Sequence, residues 1–188
     1  MSSGKKVLLK YSNPIDVVII SIADWLSPYF KRINATPNQI TTIGNIFRTL
    51  AIYYLIVGSY RIAAVLYFTG YFFDCMDGYY ARKYKMTSHY GDLYDHTSDI
   101  VLNIVFLYIL VRIDFQYKSL IFGIILIMLI MMLIQMGNEE ILYNKKSVLT
   151  PLKKISNINY INQTRFFGCG TLFLVITLFV YNLRHFEN

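Results

Sequence analysis

Cysteine, tryptophan and charge are all scarce in this chain. Only 2 of its 188 residues are cysteine. Cys75 and Cys169 cannot build a disulfide framework, and they lack the spacing of a metal site. Both read as small core residues. Charged residues make up 15% of the chain and mean hydropathy is +0.43, which sets it apart from a soluble domain of ordinary composition. There is no internal repeat and no low-complexity linker, and the length suits one domain spanning 1–188. No cleavable signal peptide is evident either. Residues 1–13 are polar and basic, and the apolar run after them has no small-residue cleavage site. Membrane insertion would then be directed by an internal segment.

Apolar and aromatic residues fill the space that charge leaves. The chain is 55% hydrophobic, with 17 Tyr and 13 Phe, as expected where many side chains sit at a lipid–water boundary. A bilayer core about 30 Å thick needs roughly 20 helical residues. Spans are expected near Ile40–Val57, Ala63–Phe73 with a helical continuation, Ile100–Ile113, Leu120–Met136 and Phe166–Tyr181. Residues 138–165 carry Glu139, Glu140, Lys145, Lys146, Lys153, Lys154 and Arg165 around Pro151. They read as a basic loop with a short interfacial helix, and a sixth span near 147–163 is the alternative. Residues 14–33 carry Ile15, Val18, Ile19, Ile22, Trp25, Leu26, Tyr29 and Phe30 at helical spacing. They read as an interfacial amphipathic helix, kinked or ended near Pro28. The expected fold is an all-α integral membrane protein, a bundle of five to six transmembrane helices preceded by that interfacial helix. Residues 36–113 form its core and residues 118–188 its C-terminal helices and basic loop.

The net charge is +7. With apolar runs this long it points to a multi-pass membrane protein with Lys and Arg on its cytoplasmic face, and not to nucleic-acid binding. Lys5, Lys6, Lys10, Lys31 and Arg32 precede the first span. Arg82, Lys83 and Lys85 follow the second. Lys145, Lys146, Lys153 and Lys154 follow the fourth. The opposite loops hold only Arg61, Arg112 and Lys118. Every basic region thus falls on one side, which is the expected cytoplasmic side.

Five aspartates lie between the second and third spans: Asp74, Asp77, Asp92, Asp95 and Asp99. At about 100° per residue, 74, 77, 78 and 81 share one helical stripe. It reads Asp, Asp, Gly, Ala. Positions 91, 95 and 99 share another, reading Gly, Asp, Asp. Two successive helices can therefore face each other with two carboxylates and a glycine each. Four carboxylates cannot gather without compensation. Hard Mg²⁺ or Mn²⁺ would supply it, and four carboxylates suit a pair of ions. One carboxylate could also take a proton from an incoming hydroxyl. Arg82 suits a phosphate. Asp92 reads as a rim charge, and Glu139 and Glu140 as loop charges, with a place facing the acceptor pocket as the alternative. Arg48, inside the first span, reads as snorkelling or paired within the bundle.

Asp74-x-x-Asp77-Gly78-x-x-Ala81-Arg82, eight residues, then Gly91-x-x-x-Asp95-x-x-x-Asp99 resembles the signature of the CDP-alcohol phosphotransferases. Thr36-Pro37-Asn38-Gln39-Ile40-Thr41 is similar to the segment that opens the first span in that family. The resemblance covers about residues 14–113. It implies transfer of a phospho-alcohol or phosphatidyl group from a CDP-linked donor to the hydroxyl of a lipid or small-alcohol acceptor, with release of CMP. It implies two metal ions on Asp74, Asp77, Asp95 and Asp99, with Asp99 as general base. Asn38, Thr41, Gly78, Ala81, Arg82, Ser88 and Gly91 would line the nucleotide site, and a homodimer in the bilayer is implied. Ile100 stands where phosphatidylglycerophosphate synthases usually carry Lys and phosphatidylinositol-type synthases Arg, and Gly44 stands where those groups often carry Arg. Gly44 and His96 look more like choline and ethanolamine phosphotransferases, although this chain is much shorter than eukaryotic members of that group. A CDP-diacylglycerol-dependent phosphatidyltransferase is the alternative. A divalent-cation transporter would need acidic residues at both ends of the bundle, and a catalytically dead relative would have lost a signature aspartate; none is lost.

Overall fold

A computed structural model describes residues 4–8, 10–143 and 147–186. Lys145 and Lys146 of the expected basic loop lie outside the described residues. The described chain is all-helical. It runs through α1 (Pro14–Arg32), α2 (Pro37–Ile56), α3 (Tyr60–Lys83), α4 (His89–Arg112) and α5 (Lys118–Tyr143). Short helical turns at Thr150–Ile155 and Ile158–Tyr160, a one-turn α6 (Ile161–Thr164) and a further turn at Arg165–Phe167 lead into α7 (Cys169–Tyr181).

The starts of the helices are written in the sequence. Asn13 caps α1, its Oδ1 accepting from the Ile15 amide at 3.0 Å, with Pro14 at the first helical position. Thr36 and Gln39 form a reciprocal box at the start of α2. Ser88 caps α4 by accepting from the Gly91 amide at 3.0 Å.

α2 and α3 form the tightest pair, and α1, α4 and α7 pack around them. Stacked rings fill the middle. Tyr67 lies 4.0 Å from Phe106 and Tyr71 lies 4.1 Å from Phe173, centroid to centroid. Three segments, His89–Arg112, Lys118–Tyr143 and Ile158–Tyr181, are long and apolar enough to cross a membrane. Their outward residues, such as Ile104 and Tyr108 on α4 and Leu120 and Ile127 on α5, are exposed. An apolar exterior of this kind suits lipid contact. α2 and α3 were expected as spans as well. They are less apolar because they carry polar groups, Arg48, Thr41 and Asp77 among them, which are buried inside the bundle.

Three local expectations need correction. α1 runs unbroken through Pro28 to Arg32. Proline removes one amide and frees the carbonyl of Asp24. That oxygen accepts instead from Ser27 Oγ at 2.9 Å and Lys83 Nζ at 3.4 Å. Second, α5 continues through Glu139 and Glu140 to Tyr143, so those two residues are helical and not part of a loop. Third, the last apolar segment begins at Ile158 and not at Phe166, and the turn Thr150–Ile155 before it packs on α5.

α1 follows the second half of α3. Tyr71 and Tyr79 donate from their hydroxyls to Asp16 and Asp24, so eight residues along one helix match eight along the other. Ile19, Ala23 and Ser27 turn inward, while Val18, Ile22, Trp25 and Tyr29 form an exposed apolar stripe.

Candidate metal and nucleotide site

The signature aspartates meet where α3 leaves the bundle and α4 enters it. Oxygens of Asp74, Asp95 and Asp99 all lie within 4.8 Å of one another. Asp77, one turn nearer the end of α3, is only 3% exposed and accepts from Thr41 Oγ1 at 2.5 Å. Arg48 of α2 is 2% exposed. Its guanidinium pairs with Asp99 and lies 3.5 Å from Asp74. The arginine passes beside Gly70, where a Cβ would lie 2.5 Å from Arg48 Cγ. A larger residue at position 70 would displace it.

Magnitudes decide whether Arg48 is enough. Two carboxylates 4.8 Å apart repel by about 3.5 kcal/mol at an effective dielectric near 20. Arg48 offsets much of that repulsion, yet three carboxylates face one guanidinium, so the cluster keeps a surplus of negative charge. Asp95 Oδ1 is buried and has no hydrogen-bond partner among the described residues, while its Oδ2 faces His96 Nδ1 at 3.1 Å. Orphaned carboxylate oxygen and surplus charge are what a hard divalent cation takes up. The residues present fit such an ion.

Beside the cluster opens a cavity of about 320 Å³, within the range of small-molecule sites. Asn38, Thr41, Gly78, Ala81, Arg82, Ser88 and Gly91 all line it, together with Asp77 and Asp95. A Cβ at Gly78 would lie 3.0 Å from Arg82 Nη1, and one at Gly91 3.0 Å from Asn38 Oδ1. Gly78 thus leaves space for the Arg82 side chain of its own helix, and Gly91 lets α4 approach Asn38 of α2. Asp74 and Asp99 sit one turn further into their helices and do not line the cavity.

A family model described as CDP-alcohol phosphatidyltransferase matches residues 34–184. This chain belongs to the CDP-alcohol phosphatidyltransferase family. It is therefore a transferase of substituted phosphate groups, taking a phospho-alcohol or phosphatidyl group from a CDP-linked alcohol. The membership and the three apolar segments together make it a membrane protein. Neither curated proteins nor solved structures provide a match.

Other residues at this end of the transferase were under-read in the sequence. Asp92 is more than a rim charge, because its Oδ2 accepts from the Val148 amide at 2.9 Å and it lines the cavity. Glu140 is fully buried, pairs with Lys6 and accepts from Ser147 Oγ at 2.7 Å. Lys83 Nζ donates to Asp24 at 2.5 Å, tying α1 to the end of α3. With the Tyr79 hydroxyl, this bond holds the Asp24 carboxyl below the usual carboxylate range. No helical period links such distant positions, so only the polar character of α5 at Gln135, Asn138, Glu139 and Glu140 could have flagged the α5 contacts.

Proposed function

We propose that this enzyme is a choline- or ethanolamine-phosphotransferase-type member of its family, moving a phospho-amino-alcohol from a CDP-linked donor to the hydroxyl of a neutral lipid acceptor. The observation that carries the reading is at Gly44. A Cβ there would lie 3.2 Å from both the Gly70 carbonyl oxygen and Phe73 Cβ. The position is tight, so the arginine that the resembling phosphatidylglycerophosphate- and phosphatidylinositol-type synthases often carry there would need α2 and α3 to shift by a few tenths of an ångström. Ile100, the other position where such relatives carry a cation, is 60% exposed and apolar. A neutral acceptor fits both positions better than an anionic one does. A divalent-cation pathway is disfavoured, because the aspartate cluster lies at one end, with Asp114 alone in the loop at the other end of α4, and Arg48 pairs with Asp99 of the cluster.

In this proposal Asp74, Asp77, Asp95 and Asp99 hold two Mg²⁺ or Mn²⁺ ions. Bound there, the ions would neutralise the diphosphate and the charge that develops on departing CMP. Asn38, Thr41, Gly78, Ala81, Ser88 and Gly91 surround the nucleotide, and Arg82 pairs with phosphate. Arg48 engages one Asp99 oxygen and leaves the other to act. Asp99 takes the proton of the acceptor hydroxyl. The acceptor oxygen bonds to the phosphorus that carries the alcohol. The bond from that phosphorus to CMP breaks, and CMP leaves with the electron pair.

The protein is multi-pass in this reading, with the site facing the cytoplasm. Lys6, Arg82, Lys83, Lys153 and Lys154 gather at the site end of the bundle, which supports that side. The exposed apolar stripe of α1 supports an interfacial position for that helix. A homodimer, implied by the family resemblance, is read from the mass of the detergent-solubilised protein.

The substrate assay uses purified protein with Mg²⁺ or Mn²⁺. CDP-choline, CDP-ethanolamine and CDP-diacylglycerol are each paired with diacylglycerol, glycerol 3-phosphate and inositol, and CMP is measured. Release with a CDP-amino-alcohol and diacylglycerol is expected. Release only with CDP-diacylglycerol would replace this reading by the phosphatidyltransferase one.

A further inference from the structure

Two cations on chain elements far apart in sequence line the cavity beside the aspartates. Arg82 belongs to the signature. Lys6 does not, and it lies upstream of the residues that match the family.

The stretch before α1 is fastened across the mouth of the bundle. The Gly4 carbonyl accepts from Arg82 Nε at 2.8 Å, and the Tyr11 carbonyl from Gln135 Nε2 at 3.0 Å. The Lys10 carbonyl accepts from the Arg165 guanidinium. Asn13 is fully buried and donates to the Arg165 carbonyl and to Thr171 Oγ1 at 2.8 and 2.7 Å. A Cβ at Gly4 would lie 2.6 Å from the Tyr79 carbonyl oxygen, so the backbone rests directly on α3. The arm is thus a built part of the site wall.

Lys6 pairs with the buried Glu140, and its ammonium lies 5.5 Å from the centre of the Tyr143 ring. A lysine that only neutralised Glu140 would have no need to reach the cavity. This one keeps 22% of its side chain exposed and lines the cavity with Tyr143 and Ser147. An ammonium carries three donors, so the Glu140 pair leaves donors for a ligand. The same cavity holds Arg82, Asp77 and Asp95. A ligand that suits both a metal-binding carboxylate wall and two cations is a polyphosphate.

We propose that Lys6 is a donor-binding residue: its ammonium, positioned by Glu140, contacts the diphosphate of the CDP-linked donor. The proposal rests on the donor-site reading above. Its test is calorimetric titration of the purified full-length protein with CDP in Mg²⁺, a probe that does not depend on which alcohol is transferred. Losing one charged contact in Lys6→Met should weaken CDP binding about tenfold. Lys6→Arg should retain most of the affinity. Lys10→Met, on the same arm but with its ammonium over the Tyr11 ring, should bind as wild type does. Because Lys6→Met leaves Glu140 buried and unpaired, Lys6→Met/Glu140→Gln removes that charge and must show the same loss. Recovery of wild-type affinity in the double variant would overturn the proposal, as would unchanged or tighter binding in both. A wild-type protein that does not bind CDP at all would instead overturn the donor-site reading, and this proposal with it.

Discussion

Replacing Arg48 with methionine probes the electrostatics of the site directly. Methionine keeps much of the length beside Gly70 and removes the charge. The guanidinium lies 3.5 Å from Asp74, an attraction of about 5 kcal/mol at an effective dielectric near 20. Desolvation offsets part of that gain, and breaking a buried pair from one side costs about 3–5 kcal/mol in practice. Without bound metal, the Arg48→Met protein should therefore lose several kcal/mol. A divalent ion should restore more in this variant than in wild type, since more uncompensated carboxylate then awaits it. An ion at a hundred times its dissociation constant stabilises by about 2.7 kcal/mol. Thermal unfolding in detergent, with EDTA and then with millimolar Mg²⁺ or Mn²⁺, reads both quantities. A variant as stable as wild type in EDTA, or one with the same metal-induced shift, would refute the charge argument.

Further tests follow from single contacts. Thr41→Val removes the donor to the buried Asp77 carboxylate and should lower kcat/KM by about tenfold, the loss expected for a charged hydrogen bond. Gly78→Ala brings a methyl within 3.0 Å of Arg82 Nη1 and should raise the donor KM with little change in helix stability, read by steady-state kinetics and circular dichroism. Asp24 is held below the usual carboxylate range by Lys83 and Tyr79. Its folded value is depressed, so the stability it adds is complete above about pH 4 and is lost as pH falls through the lower folded value. The group is half exposed, so the effect stays under about 1 kcal/mol. Unfolding midpoints measured from pH 6 down to pH 3 should fall less steeply in Asp24→Asn than in wild type.

The site was legible because its spacing is local. Asp74 and Asp77 share one helical face, Gly91, Asp95 and Asp99 share another, and each arrangement follows from the helical period alone. The Thr36–Gln39 box and the Ser88 cap are local in the same way, each closing within four residues, although no sequence expectation rested on them. Long-range partners were not readable in the same way. Nothing in the period of α2 says that Arg48 will reach Asp99, and nothing near Lys6 says that Glu140 will bury beside it. Pro28 misled for a related reason: the carbonyl it frees is answered by Lys83, a residue of another helix. The end of α5 was misjudged because Glu139 and Glu140 resemble loop charges until Lys6 and Gln135 partner them.

In the proposed reaction the aspartate cluster performs the transfer, with Asp99 taking the acceptor's proton. Single-turnover CMP release by Asp99→Asn, measured beside CDP binding on the same preparation, tests it most directly. Metal-dependent release by wild type, with release abolished in Asp99→Asn while CDP binding is largely kept, is the expected result. Release by Asp99→Asn at the wild-type rate would contradict it.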